Sequence, residues 1–540
     1  MPRDLGPRNH EGRQPLQPAR PHAPRPALPT RTAYALAALA GALYFLAFPG
    51  VGMSRLAFCA LAPLVLALRG QPARRATALG WVCGLVATGA GFYWLYDVLV
   101  RYGRLPAPLA LMVLCLLCAY QAGRLALCAW LYARAARRGW PAAPAFAGAF
   151  ATSELVFPLL FPWYLGAALH DVLPLLQVAD LGGPILVGLV LVAVNLAVAE
   201  VGAAALLRAP CSRAVLLVGV GALPAAGMYG VARSAEIDAL AARSPVLRVG
   251  LVQGNIALGA EHRALGVHLE RSRELVRAGA ELVVWSEAAL PWAIPEAGHA
   301  ELVEDTVTRG LGAAAVIGAA LVRRTAQGRG AGARPYRMLN SALVADGQGR
   351  IVGRYDKQHL LPFGEYLPLG DRLPGLYELL PASGRFSPGD AGGPVRLGEH
   401  RLAVTICYED VLPGYVRQLV RRGEADLLVN LTNDAWFGAS TEPWAHLALA
   451  KLRAVEHHRY LVRATSTGVS AIIDPVGRVV AQSELEREQT VVAAVRWMHP
   501  RTAYGVLGDR PWWVVAGLAV IAGFVPRRRR APRVSPSTPS

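Results

Sequence analysis

Charged residues are scarce in this chain of 540 residues: they make up 17% of it, whereas hydrophobic residues make up 54%. Soluble globular proteins carry roughly 25% charged residues. A shortage of this size excludes an ordinary soluble protein and predicts membrane-spanning segments. The net charge is +18, but the arginines lie in tails and short loops without a nucleic-acid recognition motif. They are interpreted as signals of membrane topology, and no nucleic-acid partner is expected.

Cysteine is scarce too. Of the seven cysteines, only Cys407 lies outside the apolar runs and the short loops between them. The soluble part contains neither a Cys-x-x-Cys pair nor an HExxH motif, so neither a metal nor a cofactor is expected. A lone thiol has no disulfide partner in its own domain. Cys407 is therefore either a small buried hydrophobe or a nucleophile.

The first part of the chain predicts a membrane domain. Residues 1–31 are rich in Pro and Arg and predict a disordered cytoplasmic tail. Residues 32–233 contain seven apolar segments, each near the ~20 residues that a spanning helix needs. They are 32–49, 53–69, 77–99, 107–133, 142–163, 183–207 and 213–233.

The loops of this domain predict its orientation. The loops after the second, fourth and sixth segments are basic, which indicates a cytoplasmic N-terminus; Arg101 and Arg104, after the third segment, depart from the rule. Seven crossings would place all that follows residue 233 on the outer, periplasmic side.

The second part has a different pattern. Between residues 245 and 500, short β-rich runs such as AELVVWSEAAL and HRLAVTICYED alternate with polar helical stretches, which predicts an α/β domain with buried strands. Residues 325–335 indicate a hairpin loop. Residues 506–526 predict a last transmembrane helix, and the arginine-rich residues 527–540 a basic cytoplasmic tail.

Three reactive side chains follow predicted strands. Cys407 follows HRLAVTI and precedes YEDVLPG, which indicates a sharp turn that exposes its side chain. Glu287 ends ELVVWSE, and Lys357 ends RIVGRYDK. Because ligands of such sheets bind beyond the carboxyl ends of strands, we expect the three groups to meet at one edge.

These residue types suit acyl transfer. Only a thiolate attacks, so Cys407 needs a base, which Glu287 would supply. Lys357 would stabilise the oxyanion, with the backbone N–H of Tyr408 as a second donor. Read singly, the same residues fit a packing cysteine, a carboxylate that caps a helix or pairs with a cation, and a solvated lysine. Spacing alone leaves these alternatives open.

A family resemblance favours catalysis. The motifs WSEAALP, YDKQHLLPFGEYLP and TICYEDVLP, in this order and spacing, resemble the nitrilase superfamily. The middle motif is similar specifically to that of the apolipoprotein N-acyltransferase family. VQGNI, NLTNDAWFG, RATSTGVSAIIDPVG, TAYGVLGD and, in the membrane part, SELVFPLLFPWYLG extend the resemblance over nearly everything after the tail.

The resemblance implies a fold, a location and a reaction. The fold is a nitrilase-like four-layer α-β-β-α sandwich, attached to a polytopic helical membrane domain on the periplasmic face of the bacterial inner membrane. The reaction is a ping-pong acyl transfer through a thioester on Cys407. The donor is a phospholipid, typically phosphatidylethanolamine, and the acceptor is the α-amine of the S-diacylglyceryl-cysteine of an apolipoprotein. Glu287, Lys357 and Cys407 would be base, oxyanion stabiliser and nucleophile.

The resemblance also implies supporting residues. Glu365 would orient Lys357 or Glu287, and Tyr408 and Glu409 flank the nucleophile. Trp436 and Phe437 are similar to lid or acyl-chain contacts, with buried core positions as the alternative.

Two departures from the family pattern stand out. The Lys-Trp pair that often follows the VQGN-I strand is absent, which puts that substrate contact in doubt. Ser286 precedes Glu287 where the family usually has proline. Serine is compatible with the turn, so we still expect Glu287 to be the base.

Polar residues in or beside the apolar segments are candidates for function, because charge in hydrocarbon is costly. Arg124 and Glu154 either bind a phospholipid head group or pair with a neighbour. For the whole chain, a membrane-tethered nitrilase-type amide hydrolase and a catalytically inactive scaffold are the alternatives to an acyltransferase.

Overall fold

The computed structural model describes residues 27–256, 259–324, 336–380 and 383–527. The predicted hairpin loop 325–335 lies outside the described residues. So do residues 1–26 and 528–540, which form most of the two predicted tails.

The N-terminal half is helical, and each of the seven apolar segments coincides with one or more helices. The helices of this half are α1 (Thr30–Leu46), α2 (Ala62–Leu68), α3 (Ala73–Gly91), α4 (Leu95–Asp97), α5 (Ala107–Arg137), α6 (Ala142–Val156), α7 (Leu173–Leu176), α8 (Ala179–Leu207) and α9 (Arg213–Arg243), of which α7 lies between the fifth and sixth segments. Helix α9 continues through most of the predicted linker, because its last turns keep apolar residues at helical spacing, with Ile237 and Ala241 buried.

Among the described residues, three helices are long and apolar enough to cross a membrane, namely α5, α8 and α9. A fourth span results if α3 and the segment Leu95–Tyr102, which is bent from it by 64°, count as one. Residues Ser54–Leu68 and Arg510–Phe524 form shorter apolar helices. The expected polytopic helical domain is therefore present, while its seven crossings remain a prediction.

The C-terminal half contains all thirteen strands of the described chain. They are β1 (Val246–Gln253), β2 (Leu282–Val284), β3 (Ile294–Pro295), β4 (Ala314–Arg324), β5 (Tyr336–Ala345), β6 (Ile351–Asp356), β7 (Val395–Leu397), β8 (His400–Ile406), β9 (Leu427–Thr432), β10 (Leu461–Thr465), β11 (Ala471–Ile473), β12 (Val479–Gln482) and β13 (Gln489–Arg496). The helices here are α10 (Ala264–Arg277), α11 (His299–Val303), α12 (Leu376–Leu379), α13 (Pro413–Gly423), α14 (Glu442–His457), α15 (Ala503–Leu507) and α16 (Arg510–Phe524).

The strands form two sheets. The first has the order β13-β1-β2-β4-β5-β6, with β3 beside β4, and its strands β1, β2 and β4 are parallel. The second has the order β12-β11-β10-β9-β8-β7, and its strands β8, β9 and β10 are parallel. Parallel strands buried on both faces require continuous apolar sequence, as in LLVNLT of β9.

The two sheets pack face to face, and helices cover their outer faces. Val284 of the first sheet and Val429 of the second belong to the same buried cluster. Leu275 of α10 packs against the outer face of the first sheet, and Leu447 of α14 packs against the second. The expected four-layer α-β-β-α sandwich is confirmed.

Helix α14 joins the sandwich to the membrane half. Its Ala450 and Ala454 face the second sheet, whereas Leu449, Leu452 and Val455 belong to the buried cluster of the N-terminal helices. The polar side chains of α14 are buried as well, and Arg453 pairs with Glu456 of the same helix. The sandwich therefore rests on the membrane half through one of its own core helices.

A buried polar cluster stabilises this junction. The carboxylate of Asp180, at the start of α8, accepts hydrogen bonds from Tyr229 at 2.7 Å and from Arg233 at 2.8 Å. His458, directly after α14, lies 3.0 Å from the same carboxylate. The cluster thus connects two membrane-half helices with the sandwich.

Candidate active site

The turn at Cys407 is sharp, as predicted. Cys407 is the first residue of a 3₁₀ helix, Cys407–Val411, directly after β8. Its φ is +51°, in the left-handed region that residues other than glycine rarely adopt. Asn430 donates a hydrogen bond to its carbonyl oxygen at 3.3 Å. A strained residue of this kind at a strand end is a frequent feature of active sites.

Glu287 and Lys357 lie 3.5 Å apart, and both are close enough to Cys407 to influence the pKa of its thiol. The three predicted reactive groups thus meet, but between two sheets and not at one sheet's edge. Glu287 and Lys357 follow β2 and β6 of the first sheet, whereas Cys407 follows β8 of the second. The expectation of a single edge was wrong, because strand spacing does not reveal which strands share a sheet. Facing sheets bring their strand ends together equally well.

Lys357 lies between two carboxylates. Its Nζ is 2.8 Å from Oε2 of Glu365 and 3.5 Å from Oε1 of Glu287. Glu365 is itself held by the backbone N–H of Leu361 at 2.8 Å. Glu365 is thus the closer partner of Lys357. The sequence left open whether Glu365 orients Lys357 or Glu287, and the distances favour Lys357.

Glu287 is oriented by hydrogen bonds to both oxygens. Asn340 donates to Oε1 at 2.7 Å and also to Glu365 at 3.0 Å, and the backbone N–H of Asn433 donates to Oε2 at 2.9 Å. Sequence reasoning missed Asn340, because its strand β5 was not recognised. An asparagine inside an apolar strand was the available signal, since a buried amide needs partners.

Gly318 of β4 is a second residue that the sequence analysis missed. A Cβ atom on Gly318 would lie 2.2 Å from the carbonyl oxygen of Ser286 and 2.9 Å from Cα of Glu287. Real Cβ atoms do not come this close to other heavy atoms, so a side chain at this position would clash with the turn that carries Glu287. Glycine is therefore required where β4 passes behind this turn. Ser286 is buried in this turn, in agreement with the expectation that serine is compatible with it.

Burial dominates the electrostatics of the site. It raises the pKa of Glu287 above its ordinary value; Lys357 opposes this shift and Glu365 adds to it. Burial also raises the pKa of the Cys407 thiol, again opposed by Lys357. For Lys357, the two carboxylates outweigh burial and raise its pKa. The resting site therefore contains a thiol and a permanent ammonium beside a carboxylate whose raised pKa suits it to accept a proton.

Glu409 connects the catalytic turns. Its carboxylate accepts hydrogen bonds from the backbone N–H groups of Gln358 and His359, at 2.7 and 2.9 Å, and from that of Ile406 at 2.9 Å. Tyr355 donates a fourth bond at 2.6 Å. Glu409 thereby fixes the segment after Lys357 against the turn that carries Cys407.

A largely apolar cavity of about 70 Å³ opens at Cys407. Tyr408 and Phe437 line it from the catalytic half. Phe92 and Trp163 line it from the membrane half. The cavity thus leads from the thiol into an aromatic cluster among the N-terminal helices.

The two candidate contact residues after β9 differ in position. Phe437 lines this cavity and packs against Trp94, with ring centroids 4.9 Å apart. Trp436 is not among the described residues that line the cavity, and its ring packs against Tyr102, with centroids 5.1 Å apart. Of the two, Phe437 has the better geometry for an acyl-chain contact.

A buried ion-pair network lies beside Cys407. Arg463 donates to Asp410 at 2.7 Å and to Asp434 at 3.2 Å, and His446 lies 2.8 Å from Asp410. Asp410 and Asp434 outweigh burial and Arg463, and together they raise the pKa of His446 to about 10. Asp434, His446 and Glu442 offer ligand atoms within 4.8 Å of one another. Because guanidinium and imidazolium already neutralise this cluster, its donor set suits an ion-pair network better than a metal ion.

Arg124 and Glu154 pair with each other. Their closest atoms, Nη1 and Oε1, are 3.4 Å apart, and Arg124 also donates to the hydroxyl of Tyr44 at 2.8 Å. The backbone N–H of Leu165 donates to Oε1 of Glu154 at 3.0 Å. Arg124 is therefore engaged within the protein, whereas Glu154 retains one oxygen, Oε2, without a partner among the described residues.

Two family models and several relatives match this chain. The model for carbon-nitrogen hydrolases matches residues 248–498, and that for the apolipoprotein N-acyltransferase N-terminal domain matches residues 40–197. An apolipoprotein N-acyltransferase from Geobacter metallireducens is 34% identical over 518 residues, covering 93% of this chain and 97% of its own length. One from Azotobacter vinelandii is 36% identical over 524 residues, covering 93% and 96%. An amidase structure from Nesterenkonia sp. covers 47% of this chain and 91% of its own, at 20% identity and a TM-score of 0.35.

Proposed function

Since this chain belongs to the apolipoprotein N-acyltransferase family, we propose that it transfers a fatty acyl group from a phospholipid to the α-amine of the S-diacylglyceryl-cysteine of apolipoproteins. The observation that supports this most is the apolar cavity at Cys407. It extends from a thiol with a carboxylate and an ammonium nearby into the membrane half. A small polar amide does not need such a cavity, whereas an acyl chain does.

In the first step, Sγ of Cys407 attacks the carbonyl carbon of an acyl ester of the donor, for which phosphatidylethanolamine is proposed. Glu287 accepts the thiol proton, and Lys357 stabilises the negative charge that develops on the carbonyl oxygen. The carbon–oxygen bond of the ester then breaks. Glu287 returns the proton to the leaving glyceryl oxygen, which yields a lysophospholipid and a thioester on Cys407.

In the second step, the acceptor amine attacks the thioester carbon and transfers a proton to Glu287. Lys357 again stabilises the oxyanion. The carbon–sulfur bond breaks, an amide forms, and the thiolate recovers the proton from Glu287. The two products leave in turn, which is a ping-pong sequence. Tyr408 supplies a wall of the acyl cavity, and its backbone N–H is proposed as a second oxyanion donor.

We place the reaction at the bacterial inner membrane, with the catalytic half on the periplasmic side. The alternating basic loops support this orientation. The substrates are consistent with it, because phospholipid donor and lipid-modified acceptor both lie in the same bilayer.

The test uses purified protein and phosphatidylethanolamine labelled in its acyl chains. Wild type should gain label that hydroxylamine releases, and should pass it to a diacylglyceryl-cysteine peptide as an amide. Cys407→Ala should gain none, while Cys211→Ala, which removes an exposed cysteine far from the site, should behave as wild type. An unlabelled wild type would contradict the proposal; hydrolysis of a small amide in the same preparation would favour the amide hydrolase, and neither activity would favour a scaffold.

A further inference from the structure

Trp163 forms part of the wall that the membrane half contributes to the apolar cavity at Cys407, the acyl cavity. Its indole packs against Phe48 and Phe92, with ring centroids 4.4 and 5.6 Å away. Gly91, at the end of α3, lines the same cavity, and a Cβ atom on it would lie 2.5 Å from Cη2 of Trp163. The indole therefore fills the space beside α3 without a gap.

A second, smaller cavity, of about 10 Å³, also borders Trp163. Its wall includes the polar side chains of Tyr44, Gln121 and Arg124. In the part of the chain that the structure describes, Trp163 is the one residue that lines both cavities. It therefore separates an apolar space that reaches Cys407 from a polar space inside the membrane half.

Contacts with Tyr44 hold Trp163 in this position. The hydroxyl of Tyr44 donates to the backbone carbonyl of Trp163 at 3.4 Å, and the two rings pack edge to face with centroids 5.5 Å apart. Arg124 donates to the same hydroxyl at 2.8 Å and pairs with Glu154. The buried pair of Arg124 and Glu154 thus braces Tyr44, and Tyr44 braces Trp163. Because packed interiors are dense and rigid, displacing this wall costs free energy.

A rigid wall is what selection of an acyl chain by its length requires. The chain of a phospholipid already lies in hydrocarbon, so a longer chain gains little hydrophobic free energy when it enters an apolar protein cavity. Discrimination between lengths must therefore be steric. A chain that fits meets no resistance, whereas a chain with further methylene groups overfills the cavity or displaces its wall.

We propose that Trp163 sets the longest acyl chain that the protein transfers. The inference rests on the proposed function, in which the acyl chain attached to Cys407 occupies the acyl cavity. Methylene groups beyond the limit would have to push the indole of Trp163 toward the polar cavity, against Tyr44 and Arg124. Trp163 thus determines specificity, and the buried pair of Arg124 and Glu154 keeps it in position.

Two substitutions change the space at Trp163 in opposite directions. Gly91→Ala adds a methyl group against the indole and takes volume from the acyl cavity. Gly89→Ala is its matched control on the same helix, because a Cβ atom there has open space around it. Trp163→Phe removes part of the ring and joins the two cavities. Trp497→Phe is the control for it, because both tryptophans are 8% exposed but Trp497 lies in the core of the sandwich.

Single-turnover labelling of Cys407 is measured in detergent micelles with phosphatidylethanolamines whose two saturated chains are identical and contain from twelve to twenty carbons. For each protein, every rate is divided by its own rate with the shortest lipid, so that only the dependence on chain length is compared. Thermal unfolding shows whether each variant folds. If Trp163→Phe does not fold, the comparison of Gly91→Ala with Gly89→Ala decides.

Wild type should label at similar rates up to a limiting chain length and about tenfold more slowly beyond it, as for overfilling of a packed core. The limit should move to shorter chains in Gly91→Ala and to longer chains in Trp163→Phe. Both control variants should keep the limit of wild type.

A wild-type rate that is the same for all chain lengths would overturn the inference. So would a limit that stays in place in either folded test variant, or that moves in the same direction in both. These outcomes are distinct from failure of the proposed function, in which wild-type Cys407 would remain unlabelled with every lipid.

Discussion

Glu287 and Lys357 are 70 positions apart in the chain, yet their side chains meet at 3.5 Å in a buried site. At the scale of the residue, the rate of the reaction should depend on which side chain of the site can accept and release a proton. The ammonium of Lys357 is stabilised by two carboxylates and stays protonated. The thiol of Cys407 is disfavoured as a thiolate by burial. Glu287 is the group whose protonation should control the rate.

The rate of acylation of Cys407 should therefore fall as the pH falls through the raised pKa of Glu287, which lies above the ordinary value of 4.5. Below that pKa the carboxyl is protonated and cannot accept the thiol proton. Glu287→Gln should lose roughly 10²–10⁴-fold in rate, as for loss of a general base. Single-turnover labelling between pH 4 and 8 measures both effects. A wild-type rate that does not change with pH on the acid side would contradict this role.

Glu365 should change the pH dependence of the acylation rate without itself taking part in the reaction. Its charge helps to raise the pKa of Glu287, so Glu365→Gln should move the acid limb of the pH profile to lower pH. The rate at neutral pH should also fall about tenfold, because Lys357 loses its closest charged partner. If Glu365 were the base instead, Glu365→Gln would abolish the acid limb and Glu287→Gln would retain it.

At the scale of the element, the site depends on how turns from two sheets are fastened together. The segment after β6 and the turn after β8 have no backbone pairing with each other, since β6 and β8 belong to different sheets. Glu409 supplies the missing connection by accepting bonds from both. Its role is to position Lys357 relative to Cys407.

Glu409→Gln should destabilise the sandwich by about 2 kcal/mol, because the amide nitrogen would face donors in a buried site. For a domain of this size the midpoint of thermal unfolding should fall by roughly 4–8 °C. Tyr355→Phe is the control, since it removes one of the four hydrogen bonds to Glu409, together with the bond between the hydroxyls of Tyr355 and Tyr415, and should have a smaller effect. Thermal unfolding of the detergent-solubilised protein measures both. A Glu409→Gln protein as stable as wild type would show that the carboxylate does not fasten the turns.

At the scale of the whole molecule, the two halves share one buried interface. Helix α14 belongs to both cores, and the Asp180 cluster joins α8, α9 and the residue after α14. The acyl cavity lies between the halves. The catalytic half is therefore incomplete as an acyltransferase without the helices that wall this cavity.

The proposed topology predicts which surfaces an impermeant thiol reagent reaches in intact spheroplasts. Arg487→Cys places a thiol at an exposed position of the catalytic half and should be labelled at once. Native Cys211 is exposed in a loop predicted to be cytoplasmic, so it should be labelled only after the membrane is permeabilised. The reverse pattern would invert the orientation, and labelling of both before lysis would contradict the predicted number of crossings.

Much was determined by the sequence alone, because it depends on local chemistry. The shortage of charge predicted the helical membrane half, and apolar runs bounded by turns predicted eight of the thirteen strands. The sharp turn at Cys407 and its proximity to Glu287 and Lys357 followed from motifs at strand ends, whereas the place of Glu365 followed from the family resemblance. Each of these signals lies within a dozen residues of the chain.

Only the tertiary structure decided what depends on distant pairing. It placed the reactive groups on two facing sheets, and it showed Asn340 and Gly318 positioning Glu287 from strands whose own sequences carry no catalytic motif. It paired Arg124 with Glu154 and left one oxygen of Glu154 buried without a partner among the described residues. Such features arise where segments far apart in sequence pack together. Because the free energy of that packing is summed over many residues, no single stretch of the chain records it.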